Sequence, residues 1–240
     1  MHESPIVELR QYELHPNARD TLIELFDREF VESQEELGMR IIGQFRDLDR
    51  PDRFVWLRGF ADMESRAEAL TAFYSGPVWK AHREAANATM IDSDNVLLLR
   101  PAHGLSGFDM DGRERPPVGS NGHREELVKA TIWHIEPGDE PSMATLFERA
   151  IEPALTDAGA SVLASFVSEH SPNTFPALPV REDANVFAWF ARFPGDGGHE
   201  RYRQALAASP QWQEAAELLD GRLAGDSEVL RLAPTSRSLL

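Results

Sequence analysis

The chain contains two copies of one sequence pattern, and this repeat limits the folds that it can adopt. Residues 7–12 match 128–133 in pattern, and residues 25–28 match 146–149, both at an offset of 121. Later segments match at an offset of 133, among them 54–60 with 187–193 and 96–101 with 229–234. Because the matching blocks keep one order, we interpret the chain as a tandem of two similar modules.

The change of offset indicates a 12-residue insertion in the second copy, within residues 168–185. Three prolines occur in this stretch, which favours a loop over a helix or strand. Phe175 and Leu178 lie between the prolines. We predict that the loop either covers a barrel mouth as a lid or packs on the surface.

Composition places the boundary between the modules. Residues 103–126 are rich in glycine and proline, which is typical of a linker. We therefore predict a first module over 1–102, a linker over 103–126 and a second module over 127–240. Each module has about the size of a small domain.

Periodicity within the first copy predicts the order β-α-β-β-α-β, which is the ferredoxin-like unit. Such a unit covers one face of its sheet with helices and leaves the other face bare. Two modules solve this problem by packing sheet to sheet, so we predict an α+β fold that forms a barrel within one chain. The predicted elements are strands at 6–12, 40–47, 54–60 and 95–100 and helices at 20–37, 63–73 and 77–90.

The segments 7–12, 44–47, 54–60 and 76–79 resemble the NIPSNAP family, which belongs to the dimeric α+β barrel superfamily. The resemblance is strong over 6–102 and weaker over 128–235, where Ala191-Arg192 replaces Arg58-Gly59. It implies a pseudo-dimeric barrel and names no catalytic residues. Animal members are linked to mitochondria and vesicle traffic, and the superfamily includes cofactor-free monooxygenases, haem-degrading enzymes, isomerases and lyases. A fold does not choose among these activities.

Charge and composition exclude several classes of function. The formal net charge of −16 disfavours binding to nucleic acid or to an anionic membrane surface. The chain has no cysteine, which rules out disulfides and thiol nucleophiles. The first five residues lack the features of a signal peptide, and no apolar run approaches the ~20 residues of a membrane span. We predict a cytoplasmic protein without membrane insertion, either a monomeric pseudo-dimer or a homo-oligomer.

Strand alternation places arginines and aromatic residues on one sheet face of the first module. In the second module the matching positions are uncharged, and they include Trp133. We predict that the two faces meet inside the barrel and hold a small anionic, ring-bearing ligand. The alternative is that the arginines form structural ion pairs with acidic side chains such as Glu8. The predicted ligand-binding residues are Arg10, Tyr12, Gln44, Arg46, Trp56, Arg58 and Trp133.

The sequence names no catalytic group with comparable support. His82 and Tyr12 are weak candidates, since histidine and tyrosine can transfer protons, but a surface or structural role is the main interpretation of every single histidine. No spacing of histidines predicts a metal site, and no motif predicts a cofactor. Two hypotheses stay open. One is a small-molecule-binding barrel or cofactor-independent enzyme, and the other is a non-catalytic scaffold that binds proteins through an exposed apolar patch.

Overall fold

A computed structural model describes residues 4–120, 122 and 124–240. The predicted start of the first module at 1–3 and linker positions 121 and 123 lie outside the described residues. Eight antiparallel strands form a closed barrel in the order β1-β3-β2-β8-β5-β7-β6-β4, which confirms the predicted fold. The strands are β1 (Ile6–Leu14), β2 (Arg40–Asp47), β3 (Arg53–Phe60), β4 (Met90–Pro101), β5 (Leu127–His134), β6 (Ser161–Ser168), β7 (Val186–Phe193) and β8 (Glu228–Pro234).

Each half of the barrel has the ferredoxin-like strand order. Module one contributes β4-β1-β3-β2 and module two contributes β8-β5-β7-β6. The halves join where β2 pairs with β8, as at Phe45 and Pro234, and where β4 pairs with β6, as at Leu99 and Ser168. Closure leaves neither sheet with an unpaired edge, so the chain supplies both halves of a pseudo-dimer.

Helices cover the outside of each half-barrel. They are α1 (Arg19–Leu25), α2 (Val31–Glu35), α3 (Met63–Ser75), α4 (Pro77–Asn87), α5 (Glu140–Leu146), α6 (Glu152–Asp157), α7 (Gly195–Ala207) and α8 (Pro210–Asp220). The single helix predicted before Gly38 is interrupted by a π-helical turn, Phe26–Phe30, and the second copy has its own at Phe147–Ile151. Gly38 follows the helix with a φ of +87°, a conformation that favours glycine. Among the described residues, every helix is too short or too polar to cross a membrane.

The lumen of the barrel is lined by apolar side chains from both modules. Val7, Leu9 and Val55 of module one share a core cluster with Ala188 and Phe190 of module two. The arginine-bearing face of module one points the other way, toward its own helices: Trp56, for example, packs in a separate cluster with α1 and α3 residues. Our prediction that the arginines face the lumen is therefore wrong.

The error has a physical reason. A period of two shows that a strand has two different faces, but both faces of this sheet are buried, and alternation does not say which layer covers which face. Strict alternation along β2 would place Ile41 on the face opposite Gln44 and Arg46. A β-bulge between Ile41 and Gly43 shifts the register, so Ile41 lies directly opposite Arg58 and faces the helices.

The Gly- and Pro-rich segment between the modules is held by specific contacts. Phe108 packs on the lumen core, with its ring centroid 5.1 Å from that of Phe190. Arg115 donates to the Glu35 carboxylate at 2.6 Å and to the Arg237 carbonyl oxygen at 2.6 Å. The segment thus contacts both modules and the C-terminal tail.

Expression of residues 1–104 alone should give a homodimer. Without module two, β2 and β4 lose their partners β8 and β6 and the apolar face of the sheet is exposed to water. A second copy supplies equivalent strands and an equivalent face, so two fragments can rebuild a closed barrel. Sedimentation velocity measures the outcome, and a well-folded, stable monomer would count against the pseudo-dimeric packing.

Candidate functional site

A buried carboxylate at the start of module one is shared by three arginines. Glu8 on β1 is fully buried. Its Oε2 accepts from Arg10 Nη1 at 2.8 Å and from Arg58 Nη2 at 2.6 Å. Its Oε1 accepts from Arg66 Nε at 2.7 Å. We call Glu8 and these three residues the arginine cluster.

Local structure brings the four side chains together. Glu8 and Arg10 are two residues apart on β1 and so share one face of the strand. Arg58 on β3 lies directly opposite Glu8 in the antiparallel register. Arg66 reaches down from α3, which begins after Asp62; the Asp62 carboxylate caps the helix by accepting from the Ser65 backbone N–H at 2.7 Å.

The cluster carries a buried excess of positive charge. With Glu8 ionised and three guanidiniums protonated, its net charge is +2, and all four side chains are at most 1% exposed. Burial by itself raises the pKa of Glu8, but the attraction of Arg58, Arg10 and Arg66 holds it well below the ordinary value. For Arg66, burial outweighs the attraction of Glu8 and lowers the pKa of the guanidinium.

Two buried donors of this region have no acceptor among the described residues, namely Nη2 of Arg66 and Nε1 of Trp56. A buried donor without a partner costs about 1–3 kcal/mol. Both groups donate and neither accepts, so an oxygen atom is the partner that each of them lacks. The excess positive charge favours an oxygen atom that belongs to an anion. Gln34 supplies one neutral acceptor nearby, since its Oε1 accepts from Arg58 Nη1 at 2.9 Å.

Aromatic rings surround the guanidiniums. The Trp56 ring centroid lies 5.0 Å from Cζ of Arg58 and 5.6 Å from Cζ of Arg10. Phe60 lies 5.4 Å from Cζ of Arg58. The Tyr12 hydroxyl accepts from Arg10 Nε at 2.9 Å, and burial raises the pKa of this phenol. The rings supply cation–π contacts and flat apolar surfaces beside the charges.

The insertion in module two covers this cluster. All of residues 169–185 are described, and none of them is in a helix or strand. Asn173 Oδ1 and Thr174 Oγ1 accept from Arg66 Nη1 at 3.0 and 3.2 Å. Phe175 stacks on Tyr74, with ring centroids 5.7 Å apart and planes inclined by 25°. The middle of the loop therefore lies over the helix side of module one, which fits the predicted alternative of packing on the surface and not a lid over a barrel mouth.

The predicted ligand-binding residues are distributed over several places. Arg10, Tyr12, Trp56 and Arg58 come together at the arginine cluster. The other three lie elsewhere. Gln44 Nε2 donates to Asp27 at 3.2 Å, Arg46 pairs with Asp20 at 2.8 Å on the surface, and Trp133 packs under the helices of module two. The weak catalytic candidate His82 lies 3.3 Å from Glu29.

Sequence reasoning missed Arg66 and the loop residues that contact it. Arg66 shares a helical stripe with Ala69, Leu70 and Phe73, all buried. An arginine at that spacing on an apolar stripe is a signal for a buried guanidinium that must find a partner. No comparable signal marks Asn173 or Thr174, because they belong to a different module and reach Arg66 only through the tertiary fold.

Apart from the arginine cluster, a concavity of about 600 Å³ opens at one mouth of the barrel. Its walls combine apolar side chains that include Val7, Phe108 and Met110 with the charged Arg100 and Glu169. Its volume suits a small molecule. It lacks the concentration of unpaired donors found at the arginine cluster, so we place the candidate site at the cluster.

Deletion of residues 169–180 should leave the chain folded and uncover Arg66. The deletion removes the Asn173 and Thr174 acceptors and the packing of Phe175, which together stabilise the protein by about 1–3 kcal/mol. The barrel strands β6 and β7 are left with a shorter connection of the kind that joins β2 and β3. Thermal unfolding by circular dichroism measures the loss, and a chain that fails to fold would show that the loop is part of the core.

Comparison with known proteins agrees with this architecture. Residues 7–104 match the sequence model of the NIPSNAP family. A monooxygenase-like protein from Lactobacillus acidophilus is 13% identical, with 98% of each chain covered and a TM-score of 0.58. Another from Fusobacterium nucleatum is 9% identical, with 98% of this chain and 94% of that chain covered and a TM-score of 0.59.

An anthrone oxidase-like protein is 13% identical, with 98% of this chain and 92% of that chain covered and a TM-score of 0.54. No curated protein matches the sequence. Similarity at this level of identity shows the fold alone. The first module, residues 7–104, is thus similar to the NIPSNAP family, and the chain combines it with a second, similar module in one pseudo-dimeric α+β barrel.

Proposed function

We propose that module one binds a small anionic, ring-bearing molecule at the arginine cluster, with the 169–185 loop of module two as its cover. The observation that carries this proposal is the buried net charge of +2 around Glu8 together with the unpaired Nη2 of Arg66. A carboxylate or phosphate on the ligand supplies both the missing charge and the missing acceptor.

The loop indicates where the acid group of the ligand enters. Asn173 and Thr174 present two neutral oxygens to Arg66 Nη1, at 3.0 and 3.2 Å. A charged ligand makes stronger hydrogen bonds to a guanidinium than neutral oxygens do. We therefore expect the acid group to displace these two side chains and the ring to lie against Trp56 and Phe60.

The protonation states favour binding over proton transfer. Glu8 is a poor general base, because three guanidiniums hold its pKa low. Tyr12 is an equally poor base, because burial raises its pKa and keeps the phenol protonated. The cluster is thus suited to hold and orient an anion.

Benzoate is the probe for this proposal. Saturating benzoate should raise the melting temperature by several degrees, since a ligand at about 100 times its Kd stabilises by about 2.7 kcal/mol and a chain of this length gains about 2–4 °C per kcal/mol. Benzyl alcohol, which has the ring without the charge, should have no effect. Differential scanning fluorimetry measures both.

Two leucine variants locate the effect. Arg66→Leu leaves Glu8 Oε2 paired with Arg10 and Arg58 but removes the donor to Glu8 Oε1, so the free protein should stay folded, lose about 1–3 kcal/mol of stability and lose the response to benzoate. Arg46→Leu is the matched control, because Arg46 lies on the same sheet face but pairs with Asp20. Its response should equal that of the unmodified chain.

The scaffold hypothesis makes a different prediction for the same experiment. It expects a filled lumen, which the structure has, together with binding of proteins through exposed apolar residues. No response to benzoate in the unmodified chain, or an equal response in Arg66→Leu, would contradict anion binding at the cluster and leave the arginines as structural ion pairs.

A further inference from the structure

Module two carries a different set of groups at the positions of the arginine cluster. At the offset of 121 residues, Lys129 on β5 replaces Glu8. At the offset of 133 residues, Ala191 replaces Arg58 and His199 replaces Arg66. The helix-covered face of the second sheet therefore holds one amine and one imidazole where the first holds a carboxylate and guanidiniums.

Lys129 lies among aromatic rings. Its Nζ is 5.2 Å from the Trp189 ring centroid and 5.8 Å from the Tyr202 ring centroid. Ala191 lies directly opposite Lys129 on β7, so no charged side chain faces the amine from that position. The Tyr202 and His199 rings stack with centroids 5.9 Å apart.

The polar groups around the amine are unpaired. The Tyr202 hydroxyl and His199 Nε2 are buried and have no hydrogen-bond partner among the described residues. Among the described residues, no carboxylate affects the pKa of Lys129. Burial and the charge of Arg203 lower this pKa to about 8. The carboxylate that raises the pKa of His199 is Asp196, and Arg231 engages it at 2.7 Å.

We propose that Lys129 is a carbonyl-binding amine, which forms an imine with a small aldehyde or ketone whose apolar body packs against Trp189 and Tyr202. The neutral amine attacks the carbonyl carbon and a C–N bond forms. The nitrogen gives up its two protons, the carbonyl oxygen gains two and leaves as water, and the nitrogen electron pair completes the C=N bond. Hydrolysis reverses the reaction, and no oxidant or reductant takes part.

The neighbouring groups suit this chemistry. Burial raises the pKa of Tyr202, so its hydroxyl stays protonated and can donate to the carbonyl oxygen. Burial and the charge of Lys129 lower the pKa of His199, so its imidazole is neutral near pH 7 and can take up and release a proton. Lysine is also the cation whose pKa responds most to burial, whereas arginine stays charged.

The sequence offers a sharp internal control, because the chain has 22 arginines but only two lysines, Lys80 and Lys129. Lys80 lies on α4 and is exposed. The unmodified chain is treated with benzaldehyde and cyanoborohydride, which reduces an imine to a stable amine, and peptide mapping by mass spectrometry separates the adducts on Lys129, Lys80 and the amino terminus.

At pH 7 we expect Lys129 to be labelled at least about tenfold faster than Lys80, since an ordinary lysine has a pKa of about 10.4 and far less neutral amine at that pH. The labelling rate of Lys129 should rise with pH to a plateau above about pH 8, while that of Lys80 continues to rise. Labelling of Lys129 at or below the rate of Lys80, with no plateau, would overturn the proposal.

Two variants distinguish a specific carbonyl-binding site from a lysine that reacts only because it is accessible. Tyr202→Phe keeps the ring and removes an unpaired buried hydroxyl, so it should keep or raise the melting temperature. It should slow the labelling of Lys129 at least about threefold, through loss of one hydrogen bond to the carbonyl oxygen. An unchanged rate would contradict the role of Tyr202. Lys129→Arg should abolish the adduct and keep the response to benzoate, so failure here and failure at the arginine cluster are distinguishable.

Discussion

Replacement of Glu8 by Gln should destabilise the protein by about 3–5 kcal/mol, because it leaves three buried guanidiniums without their only carboxylate among the described residues. The new side-chain NH2 group donates hydrogen bonds, whereas the carboxylate oxygen that it replaces accepted them. The NH2 group and the guanidinium N–H groups are then donors that face each other without an acceptor. Thermal and urea unfolding measure the loss. At about 2–4 °C per kcal/mol, the melting temperature should fall by about 6–20 °C.

Glu13→Gln is the matched control. Glu13 lies on the same strand and pairs with Arg50 at 3.2 Å, but its side chain is 53% exposed, so its loss should cost less than about 1 kcal/mol. Combining Glu8→Gln with Arg66→Leu should recover part of the loss, because the second change removes one of the stranded charges. A loss below about 1 kcal/mol in Glu8→Gln would contradict the cluster geometry.

The effect of Glu8 should depend on pH in a defined direction. In the folded chain the pKa of Glu8 is below its ordinary value of about 4.3, so the stabilisation is present above that ordinary value. It is lost as the pH falls through the lowered folded pKa. The difference between the unmodified chain and Glu8→Gln should therefore persist from pH 7 to about pH 5 and shrink below about pH 4.

Replacement of Phe190 by Ala should cost about 3–5 kcal/mol, the usual range for removing a buried phenylalanine ring. Phe190 is fully buried in the lumen, and its ring centroid lies 5.1 Å from that of Phe108 and 5.9 Å from that of Phe166. Because residues of both modules fill the lumen, the two modules should unfold together in one transition at a lower temperature. Calorimetry measures both the midpoint and the number of transitions.

Val229→Ala is the control for this change. Val229 lies on β8 but is 46% exposed, and its replacement should cost less than about 1 kcal/mol. A Phe190→Ala protein in which module two unfolds separately while module one keeps its original midpoint would contradict a core shared across the barrel.

The repeat explains why the fold could be predicted from the sequence. The pairs at offsets 121 and 133 recur at equivalent strands and helices, and even the π-helical turns Phe26–Phe30 and Phe147–Ile151 are 121 residues apart. A ferredoxin-like unit with one uncovered sheet face has few ways to bury that face, so two units in one chain predict a closed barrel.

The residues of the site could be predicted from the sequence only in part. Arg10, Tyr12, Trp56 and Arg58 share a face because strand alternation is a local property, and the structure places them together. Gln44 lies directly opposite Trp56 on that face, but its amide donates to Asp27 of the π-helical turn, since the helix packed over each position decides which partner a side chain meets. The bulge at Ile41 and Gly43 changed the register in a way that alternation alone does not show.

Local periodicity thus determined the modules, their element order and the sharing of faces, because these depend on neighbours within a few residues. The tertiary structure decided which face turned to the lumen, because both faces are buried and are distinguished only by the layer that covers each. It also brought Arg66 of α3 to Glu8 and Asn173 of the distant loop to Arg66. The first contact spans 58 residues and follows from the packing of α3 on β1 within module one, whereas the second spans 107 residues and follows from how the two halves pack. No short-range pattern encodes either contact.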